Sequence, residues 1–84
     1  MCYFLVMPTI LRIGAYRFYF YSHEPNEPPH IHIDRDNLSA KFWLKSVSLA
    51  QNIGFPAKEL RKLQSTVIEN QTKLLEAWYE YFGN

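Results

Sequence analysis

The sequence predicts an α+β domain: a four-stranded antiparallel meander with one face covered by one long or two shorter C-terminal helices. Apolar and polar residues alternate through much of the first half, which is typical of half-buried strands. After about residue 46 the apolar period becomes helical. The 84 residues suffice for one small domain. We expect this domain at residues 8–84, preceded by residues 1–7 as a disordered or over-called N-terminal extension.

Four segments have the composition of strands. They are Thr9–Ile13, Arg17–Tyr21, His30–Asp34 and Leu38–Leu44. A loop with three prolines, residues 22–29, separates the second strand from the third, and its prolines favour extended backbone. The other connections are short turns, so we expect sequential strands to pair as antiparallel neighbours.

The C-terminal half carries a helical stripe of apolar residues. Its members are Leu60, Leu63, Val67, Leu74, Leu75, Trp78 and Phe82. Pro56 suits the first turn of a helix, where its missing N–H costs nothing, and Gly83 suits the end. The polar Gln71 lies in the path of the stripe, so one long helix and two helices joined near residues 70–72 both remain open. The stripe must be covered, and the apolar face of the sheet is the nearest cover.

Composition limits the class of protein. Apolar residues make up 48% and charged residues 20%, which argues against disorder, and the formal net charge is only +1. A nucleic-acid footprint would therefore depend on where the charges lie. Cys2 is the only cysteine, so no internal disulfide can form, which suits a reducing cytoplasm. The apolar opening at residues 1–7 is far too short to span a membrane.

The third predicted strand carries the residues with the richest chemistry. Because strand side chains alternate, His30, His32 and Asp34 share one face, and Ile31 and Ile33 share the other. The isoleucines belong against the helices, so we expect both imidazoles to emerge from the interior. The neighbouring strands add bases and flat rings to the histidine side. We call the resulting set the polar face; its members are Arg17, Tyr19, Tyr21, His30, His32, Asp34, Lys41 and Trp43.

Three functions fit this face. Two histidines can divide the roles of base and acid in RNA cleavage at neutral pH, with the 2′-hydroxyl as nucleophile and no metal required. Alternatively, His-x-His can present two nitrogens to one metal ion, with Asp34, His23 or Glu24 as further ligands. The face can also bind RNA or a protein without chemistry. A fourth interpretation is that the face is simply the solvent-exposed side of the sheet, with no binding or catalytic role.

Three stretches of the chain resemble a known family. Phe20–Ile33, with Pro-Pro-His-x-His at its centre, Met7–Ile10 and Leu74–Trp78 are similar to the bacterial domain-of-unknown-function family 4160. The family's histidine motif falls on His30 and His32. Members often sit beside a small protein in two-gene cassettes, so the resemblance implies a toxin of a type II toxin–antitoxin pair, neutralised by contact with a cognate antitoxin protein.

Together these observations predict a cytoplasmic toxin acting on RNA, with no cofactor and no metal, and the alternative is a non-catalytic interaction module using the same face. His30 and His32 are the predicted acid–base pair, and Asp34 could orient one imidazole. The other predicted binding residues are Arg17, Tyr19, Tyr21, Lys41 and Trp43. The sequence leaves the oligomeric state open.

Overall fold

The first half of the chain forms one antiparallel sheet. The computed structural model describes residues 9–21 and 26–83, so the predicted extension at residues 1–7 lies outside the described part. The strands are β1 Thr9–Ile13, β2 Tyr16–Tyr19, β3 His30–Arg35, β4 Leu38–Trp43 and β5 Ser48–Ile53. Each strand pairs antiparallel with the next, in the order β1-β2-β3-β4-β5. The predicted meander is confirmed, with a fifth strand added at its edge.

The strand β5 could not be predicted from its sequence, for a physical reason. All six of its residues are exposed, so the strand has no buried face to impose an alternating pattern. Its Ala, Gln and Asn are also not strand-favouring residues. The ladder to β4 holds it in place, interrupted by one register shift. Near the end of the strand, the side chain of Asn52 accepts from the backbone N–H of Phe55 and donates to the carbonyl of Phe55.

Two helices follow, α1 at Ala57–Glu69 and α2 at Gln71–Phe82. The open question of one helix or two is thus answered, and the break falls at Asn70. Gln71, the polar interruption of the stripe, donates from its side-chain amide to the carbonyl of Leu44 at 2.7 Å. The amide therefore ties the start of α2 to the end of the sheet.

The hydrophobic core lies between the sheet and the two helices. Ile31 and Ile33 are fully buried on the helix side, as predicted. The other buried core residues are Phe18, Phe20, Ala40, Phe42, Leu44, Val47, Phe55, Leu63, Val67, Leu74 and Trp78. Burial of these large side chains is the main force that holds the two layers together.

An ion pair fastens the first turn of α1 to the sheet. Arg35 donates two hydrogen bonds to the carboxylate of Glu59, at 2.6 and 2.9 Å. The hydroxyl of Tyr16 donates to the same carboxylate at 2.5 Å. These bonds, from Arg35 first and then Tyr16, lower the pKa of Glu59 to about 2. Glu59 therefore stays charged in the folded protein down to strongly acidic pH.

Candidate functional site on the polar face of the sheet

The strand register brings the predicted site residues together. The cross-strand partners are Arg17 with Asp34, Tyr19 with His32, His32 with Lys41, and His30 with Trp43. Partners directly opposite each other in a sheet share a face. Tyr21, just past the end of β2, reaches the same group, since its ring centroid lies 4.5 Å from that of His32. All eight predicted residues therefore gather on one side of β2, β3 and β4.

The expected exposure of the two imidazoles is wrong. His30 is 0% and His32 6% exposed, and Tyr19 on the neighbouring strand β2 is 3% exposed. The alternation correctly placed the histidines opposite the isoleucines, but it did not anticipate that aromatic neighbours would enclose them. Arg17, Tyr21, Asp34, Lys41 and Trp43 are half-buried and form the rim of the cluster.

Tyr19 is the centre of one half of the polar face. Its ring stacks on His32 at a centroid distance of 5.4 Å and a 22° interplanar angle. The guanidinium of Arg17 lies 4.5 Å from the centre of the Tyr19 ring. The Tyr19 hydroxyl lies 3.1 Å from both carboxylate oxygens of Asp34. Asp34 thus accepts from a tyrosine in this structure, whereas the sequence suggested that it could orient an imidazole.

The pKa of Tyr19 is raised above the usual value for tyrosine. Burial is the largest cause, followed by a hydrogen bond with Tyr21 and the negative charge of Asp34. Burial and a nearby carboxylate both disfavour the phenolate. Tyr19 therefore remains a neutral hydrogen-bond donor throughout the physiological range of pH.

His30 is held by the end of the proline-rich loop. Its Nδ1 donates to the carbonyl of Pro28 at 2.9 Å, and the carboxylate of Glu27 lies 3.5 Å from the same nitrogen. Glu27 also accepts from Lys41 Nζ at 2.6 Å, and that ammonium lies 4.7 Å from the Trp43 ring centre. In the neutral ring the bond to Pro28 places the proton on Nδ1 and the lone pair on Nε2.

The imidazoles of His30 and His32 lie next to each other. Their ring centroids are 5.0 Å apart, with planes nearly perpendicular. Trp43 meets the edge of His30 at 5.8 Å, and Trp78 from α2 approaches the same ring to 4.9 Å. Because His30 begins β3, its ring lies where the helix layer reaches the end of the sheet. The polar face is therefore continuous with the core at this corner.

Sequence reasoning missed two residues around His30. Glu27 was treated as part of a loop, although its position three residues before His30 was an available signal. Trp78 was assigned to the apolar stripe of the helices, which is correct but incomplete, because its ring also touches an imidazole. That contact joins segments far apart in the chain, and no local pattern reports it.

The structure gives no support for the metal interpretation within its described part. Residues 9–21 and 26–83 contain no group of three or more His, Cys, Asp or Glu side chains that could hold a metal ion. Of the three further ligands considered from sequence, Asp34 lies within these ranges, and His23 and Glu24 lie outside them. Among the described helices, none has the length and apolar character needed to cross a membrane.

A separate open depression of about 360 Å³ lies near the start of α1. It is lined by Tyr16, Pro56, Lys58, Glu59 and Lys62. None of these residues belongs to the polar face, and Glu59 there is already neutralised by Arg35. The depression and the histidine pair are therefore distinct features.

The fold and the histidine motif define a small α+β domain with a meander sheet, two C-terminal helices and a His-x-His strand. The chain belongs to a family described as Domain of unknown function (DUF4160), whose model matches residues 15–79. This confirms the family resemblance of the sequence. Comparison with curated proteins and with solved structures gives no significant match.

Proposed function

We propose that this chain acts on RNA by binding an unpaired strand at the rim of the polar face, as the toxin of a two-protein toxin–antitoxin pair in a bacterial cytoplasm. The observation that carries the RNA part is the gathering of two cations and several flat rings around the histidine pair. The toxin part and the cognate antitoxin rest on the family resemblance and are tested separately.

The chemistry of the rim matches what an unpaired RNA strand offers. Arg17 and Lys41 supply positive charge for phosphates, and half-buried Tyr21 and Trp43 supply rings on which bases can stack. The Lys41 ammonium already lies beside the Trp43 ring, so a phosphate and a base could be held at neighbouring points. Glu27 competes with phosphate for Lys41, so we expect moderate affinity that falls steeply with salt.

The binding test uses fluorescence anisotropy with a labelled single-stranded RNA at several salt concentrations. Replacing Trp43 by Leu should weaken binding about tenfold, because base stacking on one ring contributes about 1–3 kcal/mol. Replacing Lys41 by Gln should weaken binding and reduce the salt slope by about 1. Unchanged melting temperatures would show that the variants are folded.

Matched controls lie on α2 and are not members of the polar face. Lys73→Gln removes an exposed cation, and Tyr81→Leu removes an aromatic ring that is 41% exposed. Both should bind RNA like the wild type. The proposal fails if the wild-type protein does not bind single-stranded RNA, or if the control variants lose as much affinity as those at the polar face.

The toxin role is tested by induced expression in bacteria. Growth arrest is expected, and co-expression of the product of an adjacent small open reading frame should relieve it. Trp43→Leu and Lys41→Gln should reduce the arrest, whereas Lys73→Gln should not. Normal growth at verified expression of the wild-type protein would contradict the toxin role, and it would leave the RNA-binding measurement standing on its own.

Acid–base cleavage of RNA is the second candidate, favoured by the 5.0 Å separation of the imidazoles. One imidazole would take the proton of the 2′-hydroxyl as its oxygen attacks phosphorus, and the other would give a proton to the departing 5′-oxygen. This ranks below binding because both rings are buried, so the rim side chains would have to move before a phosphate reached Nε2 of His30.

Cleavage predicts products with 2′,3′-cyclic phosphate ends, formed in the presence of a metal chelator. The informative variant is His30→Asn with His32→Asn, because the amide introduced by His30→Asn can still donate to the Pro28 carbonyl while both ring bases are lost. Intact toxicity and intact cleavage in this double variant would exclude the histidine mechanism. If the wild-type protein binds RNA and does not cleave it, cleavage is excluded and the binding proposal stands.

A further inference from the structure

The edge strand β5 is the most exposed regular element of the described chain. Each of its six residues is exposed, and β5 pairs with β4 alone among the described strands. Its outer side therefore presents a row of backbone donors and acceptors to any extended chain. Leu49 and Ile53 add apolar surface, with 44% and 55% of each residue exposed.

Natural edge strands usually carry features that prevent pairing with another chain. Charged side chains, proline and very short length are the common ones. The segment Ser-Leu-Ala-Gln-Asn-Ile has six residues with no charge and no proline. Its one irregularity is the bulge at Ala50, where the register to β4 shifts. β5 is thus less protected than such strands normally are.

We infer that β5 is the interface for a second copy of this chain, paired antiparallel across a two-fold axis. An uncharged strand faces its own copy without bringing like charges together. β1 is the other edge among the described strands, and it carries the exposed Arg12, which self-pairing would bring close to its own copy. Charge compatibility therefore selects β5 over β1 for self-association.

The register to β4 also fits a two-fold arrangement. Ser48 and Ile53 lie on the side of Trp43 and Ser39, whereas Leu49 and Asn52 lie on the core side. Antiparallel pairing that places Ser48 opposite Ile53 of the second copy also places Leu49 opposite Asn52. Each pair then shares one face of a continuous ten-stranded sheet. The bulge at Ala50 makes this possible, because without it Ser48 and Ile53 would point to opposite sides.

The dimer proposal is independent of the RNA proposal, since no residue of the polar face lies in β5. The expected association is weak, because six paired residues cover less area than a standard stable interface. Sedimentation velocity of the full chain should show reversible dimers across the micromolar range. Amide hydrogen exchange in β5 should slow as the protein concentration rises.

Ile53→Lys and Leu49→Lys are the test variants, and Ile13→Lys is the matched control at the opposite edge of the sheet, where Ile13 is 39% exposed. Each interface substitution occurs twice in a two-fold dimer, so Ile53→Lys should weaken dimerisation at least about tenfold. Ile13→Lys should leave the dimer intact. A wild type that stays monomeric throughout overturns the proposal. So does a dimer that survives both β5 substitutions, or one that Ile13→Lys disrupts equally.

Discussion

The packing of Tyr19 predicts two graded losses of stability that separate its hydroxyl from its ring. Tyr19→Phe keeps the ring against His32 and removes the hydrogen bonds of the hydroxyl, to Asp34 and with Tyr21. A hydrogen bond to a charged group contributes about 1.5–3 kcal/mol when buried. Asp34 is half-exposed, so water can replace the lost donor. We therefore expect Tyr19→Phe to lower the free energy of unfolding by about 1 kcal/mol, the value typical of a hydrogen bond between neutral groups.

Tyr19→Leu removes the ring as well. It loses the stacking on His32, which contributes about 0.5–1.5 kcal/mol, and the contact with the Arg17 guanidinium, about 0.5–1 kcal/mol. Leucine also leaves part of a nearly fully buried site unfilled. The total expected cost is about 3 kcal/mol, against about 1 kcal/mol for phenylalanine.

Urea unfolding followed by tryptophan fluorescence measures both variants, because Trp43 and Trp78 lie beside the histidine pair. A loss of 1 kcal/mol lowers the melting temperature of a domain of this size by about 4–8 °C, so the melting temperatures of Tyr19→Phe and Tyr19→Leu should differ clearly. Tyr81→Phe is the control, an exposed tyrosine expected to stay within about 0.5 kcal/mol of wild type. Equal losses for the two Tyr19 variants would refute the assigned role of the ring. A Tyr19→Leu variant as stable as wild type would refute the packing itself.

Two further predictions concern the frame around the site. Because the folded pKa of Glu59 is depressed to about 2 from 4.5, its ion pair with Arg35 stabilises the protein above pH 4.5, and that stabilisation is lost as pH falls towards 2. We therefore expect the free energy of unfolding, measured with urea, to fall less for Glu59→Gln than for the wild type as pH falls through this range. Equal falls in the two proteins would contradict the role of the ion pair. Gly54 has φ +94°, where an L side chain is strained, and a Cβ there would also push aside the end of the Leu38 side chain at 2.5 Å, so Gly54→Ala should cost about 2–3 kcal/mol, most of it from the backbone. Gly14 has φ +57° and open space around it, so Gly14→Ala should cost only about 1 kcal/mol, and a reversed order in urea unfolding would contradict this reasoning.

The alternating segments of the sequence were sufficient to predict the central sheet. β1 coincides with its predicted range, and the predicted turns join β1 to β2 and β3 to β4. The period of two also assigned His30 and His32 to the side opposite Ile31 and Ile33, because that pattern follows from backbone geometry alone. From the order of the strands, it further predicted which residues would surround the histidines.

The fifth strand and the helix break depended on longer-range interactions. β5 has no buried side of its own, and it is a strand because β4 offers it a ladder. The break at Asn70 could not be chosen from the apolar stripe, which continues past it. The break lies directly before Gln71, whose side-chain amide donates to carbonyls at the end of the sheet. In both cases the partner lies elsewhere in the chain. The polar Gln71 indicated where a break could fall, but local sequence could not decide between one helix and two.

Periodicity in the sequence determined the class of the fold, the direction of the side chains in the central strands and the membership of the polar face. Only the tertiary structure decided how accessible that face is. Burial depends on which rings meet across strands and on where Trp78 of α2 touches His30, and these contacts join distant parts of the chain. The direction of a side chain is a property of its own backbone, whereas its exposure is a property of its neighbours in space.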